Sequence, residues 1–327
     1  MIRISYKESE KEQFEKEYWS VIESLLKKNI KRTIDDELKN WKNNYNICNM
    51  QGAAYTIEEV VLMEYAKLRE LKKKIDDVFS NMEYAKDKYK CFYKKKGTNV
   101  TMKMYWEEYR AQYDKMRIRR KDSKALSAEI VEYFNTKVCA YCNRAYIDNR
   151  EVQHNNSIVL KSTAQLDHFF SKEKYPIFAL SLYNFVPVCQ VCNSKKGKYE
   201  INVSPHDREF DFSQRIFTYE VGEEFYSELG IKVKIRDDVN NDLKRDMKRL
   251  DIDSAYLNNN DVVWEVIEKK RMYDEYRIKE IIESLGLPYS ESEIERLLYG
   301  NYINENEYSK RPLAKLVSDI VNEINLT

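Results

Sequence analysis

The sequence predicts an α+β fold, mainly α, in which helical N- and C-terminal domains flank a compact module of short strands and loops. Three observations lead there. All five prolines lie at or beyond position 176, and the first 175 residues hold only two glycines, Gly52 and Gly97, so the front of the chain is nearly free of helix breakers. Apolar side chains recur there at helical spacing. Near residue 126 the texture changes: prolines and two close cysteine pairs enter, and the helical period is lost.

Taken in order, Phe14, Tyr18, Val21, Ile22, Leu25 and Leu26 mark a first helix. Thr56-Ile57-Glu58-Glu59 has the form of a capping box, opening a second helix through Val60, Met63, Leu68, Leu71, Ile75 and Val78. A third runs from about Met102 to Arg120, which completes a helical domain over residues 1–125. The module spans residues 126–213: a short helix at Leu126–Phe134, strand-like pieces at Ala145–Ile147 and Ile158–Leu160, and a stretch punctuated by Pro176, Pro187 and Pro205. Residues 214–327 begin with two alternating segments, Phe217/Tyr219/Val221 and Ile231/Val233/Ile235, which predict a hairpin. They continue as helix over Asp261–Leu285, closed by Gly286 and Pro288, then Glu291–Tyr299 and Leu313–Ile324.

The chain is 327 residues long, enough for two or three domains, and carries 56 basic against 55 acidic residues. A net charge of +1 gives no global attraction to a polyanion, so any nucleic-acid surface must be local. There is no apolar core of signal-peptide length at the start and no run of about 18 apolar residues, which predicts a soluble, cytoplasmic protein without a membrane partner.

Four of six cysteines form two C-x-x-C pairs, Cys139/Cys142 and Cys189/Cys192, separated by 46 residues. Two such pairs can supply four thiolates to one Zn²⁺ at about 2.3 Å each. A site closed in that way is structural, and it would tie the start of the module to its end. Cys48 and Cys91 stand alone in helical-looking segments and read as buried structural thiols.

Inside this bracket lie Leu166-Asp167-His168, then Tyr183-Asn184-Phe185-Val186-Pro187, then Cys189-Gln190-Val191-Cys192-Asn193-Ser194-Lys195-Lys196-Gly197-Lys198. Over about residues 135–200 the order C-x-x-C, D-H, N-(L/F/V)-V-P, C-x-x-C-N-x-x-K-G resembles the HNH endonuclease superfamily, in its form with zinc knuckles around a ββα-metal core. The resemblance implies a metal-dependent phosphodiester hydrolase, with DNA favoured as substrate. Asp167 and Asn193 would hold one Mg²⁺ (or Mn²⁺) through oxygen, His168 would be the general base, and Asn184 would orient His168 by hydrogen bonding. Asn193 stands where the family name has its second histidine; an amide oxygen is a harder ligand than imidazole and suits Mg²⁺. His206, in a turn beyond the module, and His154, in a polar loop, fall outside the motif.

The knuckled module, Ser181-Leu182-Tyr183-Asn184 after Tyr175-Pro176, and the late Arg311-Pro312-Leu313-Ala314-Lys315-Leu316 together are similar to nucleases of bacterial antiphage systems of the Septu type. That likeness implies a partner ATPase in a defence complex. A stand-alone restriction or homing enzyme, and a non-catalytic zinc-stabilised nucleic-acid-binding module, are the alternatives.

Charge is clustered. Between Lys86 and Lys124 there are 14 basic and 5 acidic residues, densest at Arg117, Arg119, Arg120 and Lys121. With Lys195, Lys196 and Lys198 these form a stripe able to follow a phosphate backbone without reading bases.

Overall fold

The structure, a computed structural model, describes residues 1–79, 102–116, 125–154, 157–223, 230–286 and 289–324. The front is helical: α1 (Lys11–Leu25), α2 (Lys28–Tyr45), α3 (Ile57–Val61), α4 (Tyr65–Phe79) and α5 (Met102–Met116). Thr56 makes the expected capping box with Glu59. The helix it opens is not continuous, however. It stops after Val61 and restarts at Tyr65, whose ring packs on Phe169 and Phe170 of the module at 5.5 and 5.9 Å. Tertiary contacts override the continuous apolar period here.

Cys48 is corrected too. It lies in the loop after α2, which ends at Asn46 in the left-handed region (φ 55°), and its thiol is half-exposed, 3.6 Å from the Asn46 carbonyl. Cys91 lies outside the described residues.

The module begins with α6 (Leu126–Tyr133) and the first cysteine pair. The expected strand at 145–147 amounts to a single bridge between Tyr146 and Val138. A hairpin follows, β1 (Asn149–His154) against β2 (Ser157–Ser162). Then β3 (Gln165–His168) pairs antiparallel with β4 (Phe185–Val188), setting Asp167 opposite Val186 and His168 opposite Phe185. Helix α7 (Gln190–Lys196) starts directly after β4 and ends at Gly197, whose φ of +52° favours glycine. The order β3–β4–α7 therefore gives a strand, a strand and a helix within 32 residues of chain, 165 to 196.

Behind the module, β5 (Phe217–Val221) and β6 (Ile231–Ile235) form the expected hairpin. They are followed by α8 (Asn241–Arg249), α9 (Ile252–Tyr256), α10 (Asn260–Met272), α11 (Glu275–Leu285), α12 (Glu291–Tyr299) and α13 (Ala314–Ile324). The single helix expected over 261–285 divides at Tyr273, because the Asp274 carboxylate accepts from Arg277 N and starts a new N-terminus. Gly286 closes α11 in the left-handed conformation, as its position predicts.

Buried side chains from the front helices, the module and the rear elements join into one core. Residues 2–7 lie along the module, with Ile2 N donating to Ala140 O (2.9 Å), Ile4 N to Pro205 O (3.0 Å) and Lys7 N to Tyr133 O (3.0 Å). Asn143, one residue past the first cysteine pair, holds the rear: its amide donates to Tyr308 O (2.9 Å) and accepts from Lys315 N (3.0 Å). Among the described residues, no helix is long and apolar enough to cross a membrane.

Candidate functional site

A backbone hydrogen bond brings the two cysteine pairs together. Ala140 N donates to Pro187 O (3.2 Å), which lays the first pair against the end of β4, where the second pair begins. Each pair curls back on itself, through Asn143 N to Cys139 O (2.8 Å) and Asn193 N to Cys189 O (3.0 Å). All four sulfur atoms lie within 4.8 Å of one another, with Cys142 Sγ and Cys189 Sγ 4.0 Å apart. Four sulfurs about 2.3 Å from a central ion would stand roughly 3.8 Å apart, so the cluster can hold a metal such as zinc with little movement. Within the cluster, hydrogen bonds from the other thiols pull Cys189 far below the ordinary thiol range, while burial pushes Cys139 up.

Asp167 and His168 end β3, where the pleat sends them to opposite faces. Asp167 is buried. Tyr141, from between the cysteines of the first pair, donates its hydroxyl to Asp167 Oδ2 at 2.6 Å. Lys196, on the last turn of α7, places its ammonium 2.9 Å from Oδ2 and 3.1 Å from Oδ1, and donates to His168 O at 2.7 Å. Lys196 is 1% exposed and its ammonium is held by Asp167 and the His168 carbonyl, so the expectation that it contacts nucleic acid is corrected.

The His168 ring lies between aromatic neighbours, Tyr113 of α5 at 4.5 Å and Phe185 of β4 at 5.0 Å between centroids. Tyr113 is itself fixed by a bond to Leu166 O (2.8 Å). Nε2 lies 2.9 Å from Ala179 O. A carbonyl only accepts, so Nε2 carries the hydrogen and Nδ1 keeps the lone pair. Burial, aided by the charge of Lys172, lowers the imidazole pKa to about 3, which keeps it neutral at ordinary pH.

Asn184 does not bond His168 as expected. Its Oδ1 accepts from Phe170 N (2.8 Å), and its amide nitrogen donates to Phe170 O and Phe178 O, each at 3.0 Å. Both N–H groups are thus occupied in closing the 169–184 loop, the loop that presents Ala179 O. Asn184 supports the histidine at one remove. Asn193 donates its amide nitrogen to Gln165 Oε1 (2.6 Å), which leaves its oxygen as the available ligand.

Asp167, His168 and Asn193 share one cavity of about 670 Å³, walled also by Tyr113, Lys172 and Lys198. Of the other expected basic contacts, Lys195 pairs with Asp251 (2.5 Å) and Lys198 with Glu173 (2.8 Å), both exposed. Arg117, Arg119, Arg120 and Lys121 lie outside the described residues, as does the side chain of His154. His206 stands apart from the cavity, buried, with Nε2 donating to Phe185 O (2.6 Å) and Nδ1 accepting from Tyr6 (2.7 Å). The residues that sequence reasoning missed are Tyr113, Tyr141 and Ala179.

Comparison with known proteins returns no matching family profile, no curated relative and no similar solved structure.

Proposed function

We propose that the chain is a metal-dependent nuclease of the HNH type, hydrolysing nucleic-acid phosphodiesters with DNA favoured. One observation carries the reading: Asp167, His168 and Asn193 line the same cavity, and the hydrogen on His168 Nε2 leaves its lone pair on Nδ1. The residues suit one divalent cation. The Asp167 carboxylate accepts one hydrogen bond at each oxygen, from Tyr141 at Oδ2 and Lys196 at Oδ1, which leaves lone-pair capacity for a ligand; Asn193 offers a second oxygen. Mg²⁺ (or Mn²⁺) needs few protein ligands, keeping waters and taking substrate phosphate for the rest. When bound, it supplies charge stabilisation at the phosphate and the leaving oxygen.

The residues of the chain do the rest. His168 accepts the proton of the attacking water at Nδ1, while Ala179 O holds Nε2–H. Burial, and after it the charge of Lys172, depresses the imidazole pKa in the free protein. The negative charge of an arriving phosphodiester opposes the part of that shift due to Lys172. Tyr113 and Phe185 restrict ring rotation. The cysteine quartet would hold a structural Zn²⁺, tying the start of α7, and hence Asn193, to the first cysteine pair. The likeness to antiphage nucleases supports a cytoplasmic effector acting with a partner ATPase.

The test is plasmid cleavage with and without Mg²⁺, on the native chain and on His168→Ala. Loss of a general base costs on the order of 10²–10⁴ in rate. Zinc content and melting temperature should stay unchanged. Cleavage that persists in EDTA with zinc still bound contradicts the reading.

A further inference from the structure

Lys196 occupies a position that sequence reasoning gives to a surface lysine. It is buried, and its ammonium is divided among Asp167 Oδ1, Asp167 Oδ2 and His168 O, at 3.1, 2.9 and 2.7 Å. It donates hydrogen bonds to Asp167 Oδ1 and His168 O and lies within ion-pair distance of Oδ2, and moving it away would leave the carboxylate without its counter-charge in the interior. The carboxylate that would take the divalent cation therefore already has a fixed cation on it. Asn193 is uncharged. The formal charges of Asp167, Lys196 and Asn193 therefore sum to zero: one carboxylate and one ammonium.

A doubly charged ion surrenders part of its hydration only where negative charge replaces it. This arrangement provides none in net terms. A phosphodiester entering the cavity supplies one negative charge per phosphate, together with oxygen ligands.

We propose that Lys196 is a positioning residue that makes divalent-cation loading conditional on nucleic acid: alone, the protein holds the cation weakly, and cation and phosphate backbone enter together. The inference rests on the nuclease reading. It gives the buried lysine a role that a bare structural ion pair would lack. By linkage, the coupling is reciprocal, so the cation tightens nucleic-acid binding by the same factor that nucleic acid tightens the cation.

The experiment uses the full chain carrying His168→Ala, so that nucleic acid stays intact. Mn²⁺ binding is followed by loss of the free-ion electron paramagnetic resonance signal, with and without a single-stranded oligonucleotide. Ion held by the oligonucleotide alone is subtracted, and Asp167→Asn reports binding elsewhere. The expected result is at least a tenfold gain in Asp167-dependent affinity when the oligonucleotide is present, roughly the middle of the range for coupled sites. Adding Lys196→Met should tighten Mn²⁺ binding without nucleic acid and shrink the gain below about threefold, whereas a charge-independent structural role would leave that gain in place.

Equal Mn²⁺ affinity with and without oligonucleotide overturns the inference and leaves the nuclease reading standing. So does a Lys196→Met variant that folds and keeps the full gain. Should that variant not fold, the coupling measured with Lys196 in place still decides. Absence of any Asp167-dependent Mn²⁺ binding under both conditions overturns the metal assignment itself, and the inference with it.

Discussion

Acidification offers a quantitative test of the two interior histidines. Burial lowers His168 from 6.5 to about 3 and His206 from 6.5 to about 4. Both are neutral in the folded chain at pH values where an unfolded chain would begin to protonate them. Below pH 6.5 the unfolded state therefore binds more protons than the folded state, and stability falls as pH drops, until each folded pKa is reached. At pH 5 each group sits about 1.5 units below its unfolded value. At 1.36 kcal/mol per unit, each loses about 2 kcal/mol, or about 4 kcal/mol for the pair. That is a large share of a typical stability of about 5–15 kcal/mol.

The assay is urea denaturation at pH 7.5 and pH 5 with zinc in excess, run in parallel on His206→Gln, which cannot take up the proton. The pH-dependent loss in that variant should be smaller by about 2 kcal/mol. Nuclear magnetic resonance gives a second view, since the chain has only three histidines to assign. Equal losses in both proteins, or a His206 midpoint near 6.5, would refute the reasoning.

Purified protein should carry about one tightly held zinc per chain, and Cys139→Ser should fail to fold; elemental analysis showing a well-folded, zinc-free chain ends the structural-zinc assignment. Asn143→Ala should cost roughly 2–4 kcal/mol, from two broken buried hydrogen bonds and a backbone at φ +51°, while Asn143→Gly relieves the backbone and costs less; paired thermal melts would show whether that order holds. Neutralising Arg117, Arg119, Arg120 and Lys121 together should weaken binding alike for unrelated duplexes and flatten the log–log salt dependence by about 0.9 per lost phosphate contact; an unchanged salt slope would leave the stripe as a solvated or partner-facing surface.

The cysteine quartet was legible because its members come in short-range pairs, and two pairs bracketing a loop-rich stretch have few other uses. The rear hairpin was legible from strict alternation at Phe217/Tyr219/Val221 and Ile231/Val233/Ile235. Lys196 carried an unused signal. It follows Cys192 by four residues on one short helix, so it shares the face that turns inward, whereas Lys195 and Lys198 do not. Tyr113 could not be read, because nothing in a lone helical tyrosine says which histidine its ring will meet across 55 residues of chain. Asn184 was placed beside the right histidine but given the wrong bond, since an amide next to a strand has many carbonyls within reach and here takes Phe170 and Phe178. Helix breaks at Leu62 and Tyr273 left no trace in the apolar period, because they answer to packing and to a single capping carboxylate.

The atom that selects the histidine tautomer is a backbone oxygen, that of Ala179. No codon specifies it. A substitution at position 179 would alter the packing around the loop and leave the acceptor in place, so this part of the site tolerates sequence drift. The same feature makes it sensitive to insertions or deletions between Phe169 and Asn184, which would shift the carbonyl while sparing every side chain in the motif. Variation in that loop's length, more than variation in its composition, would separate working copies of such a site from inert ones.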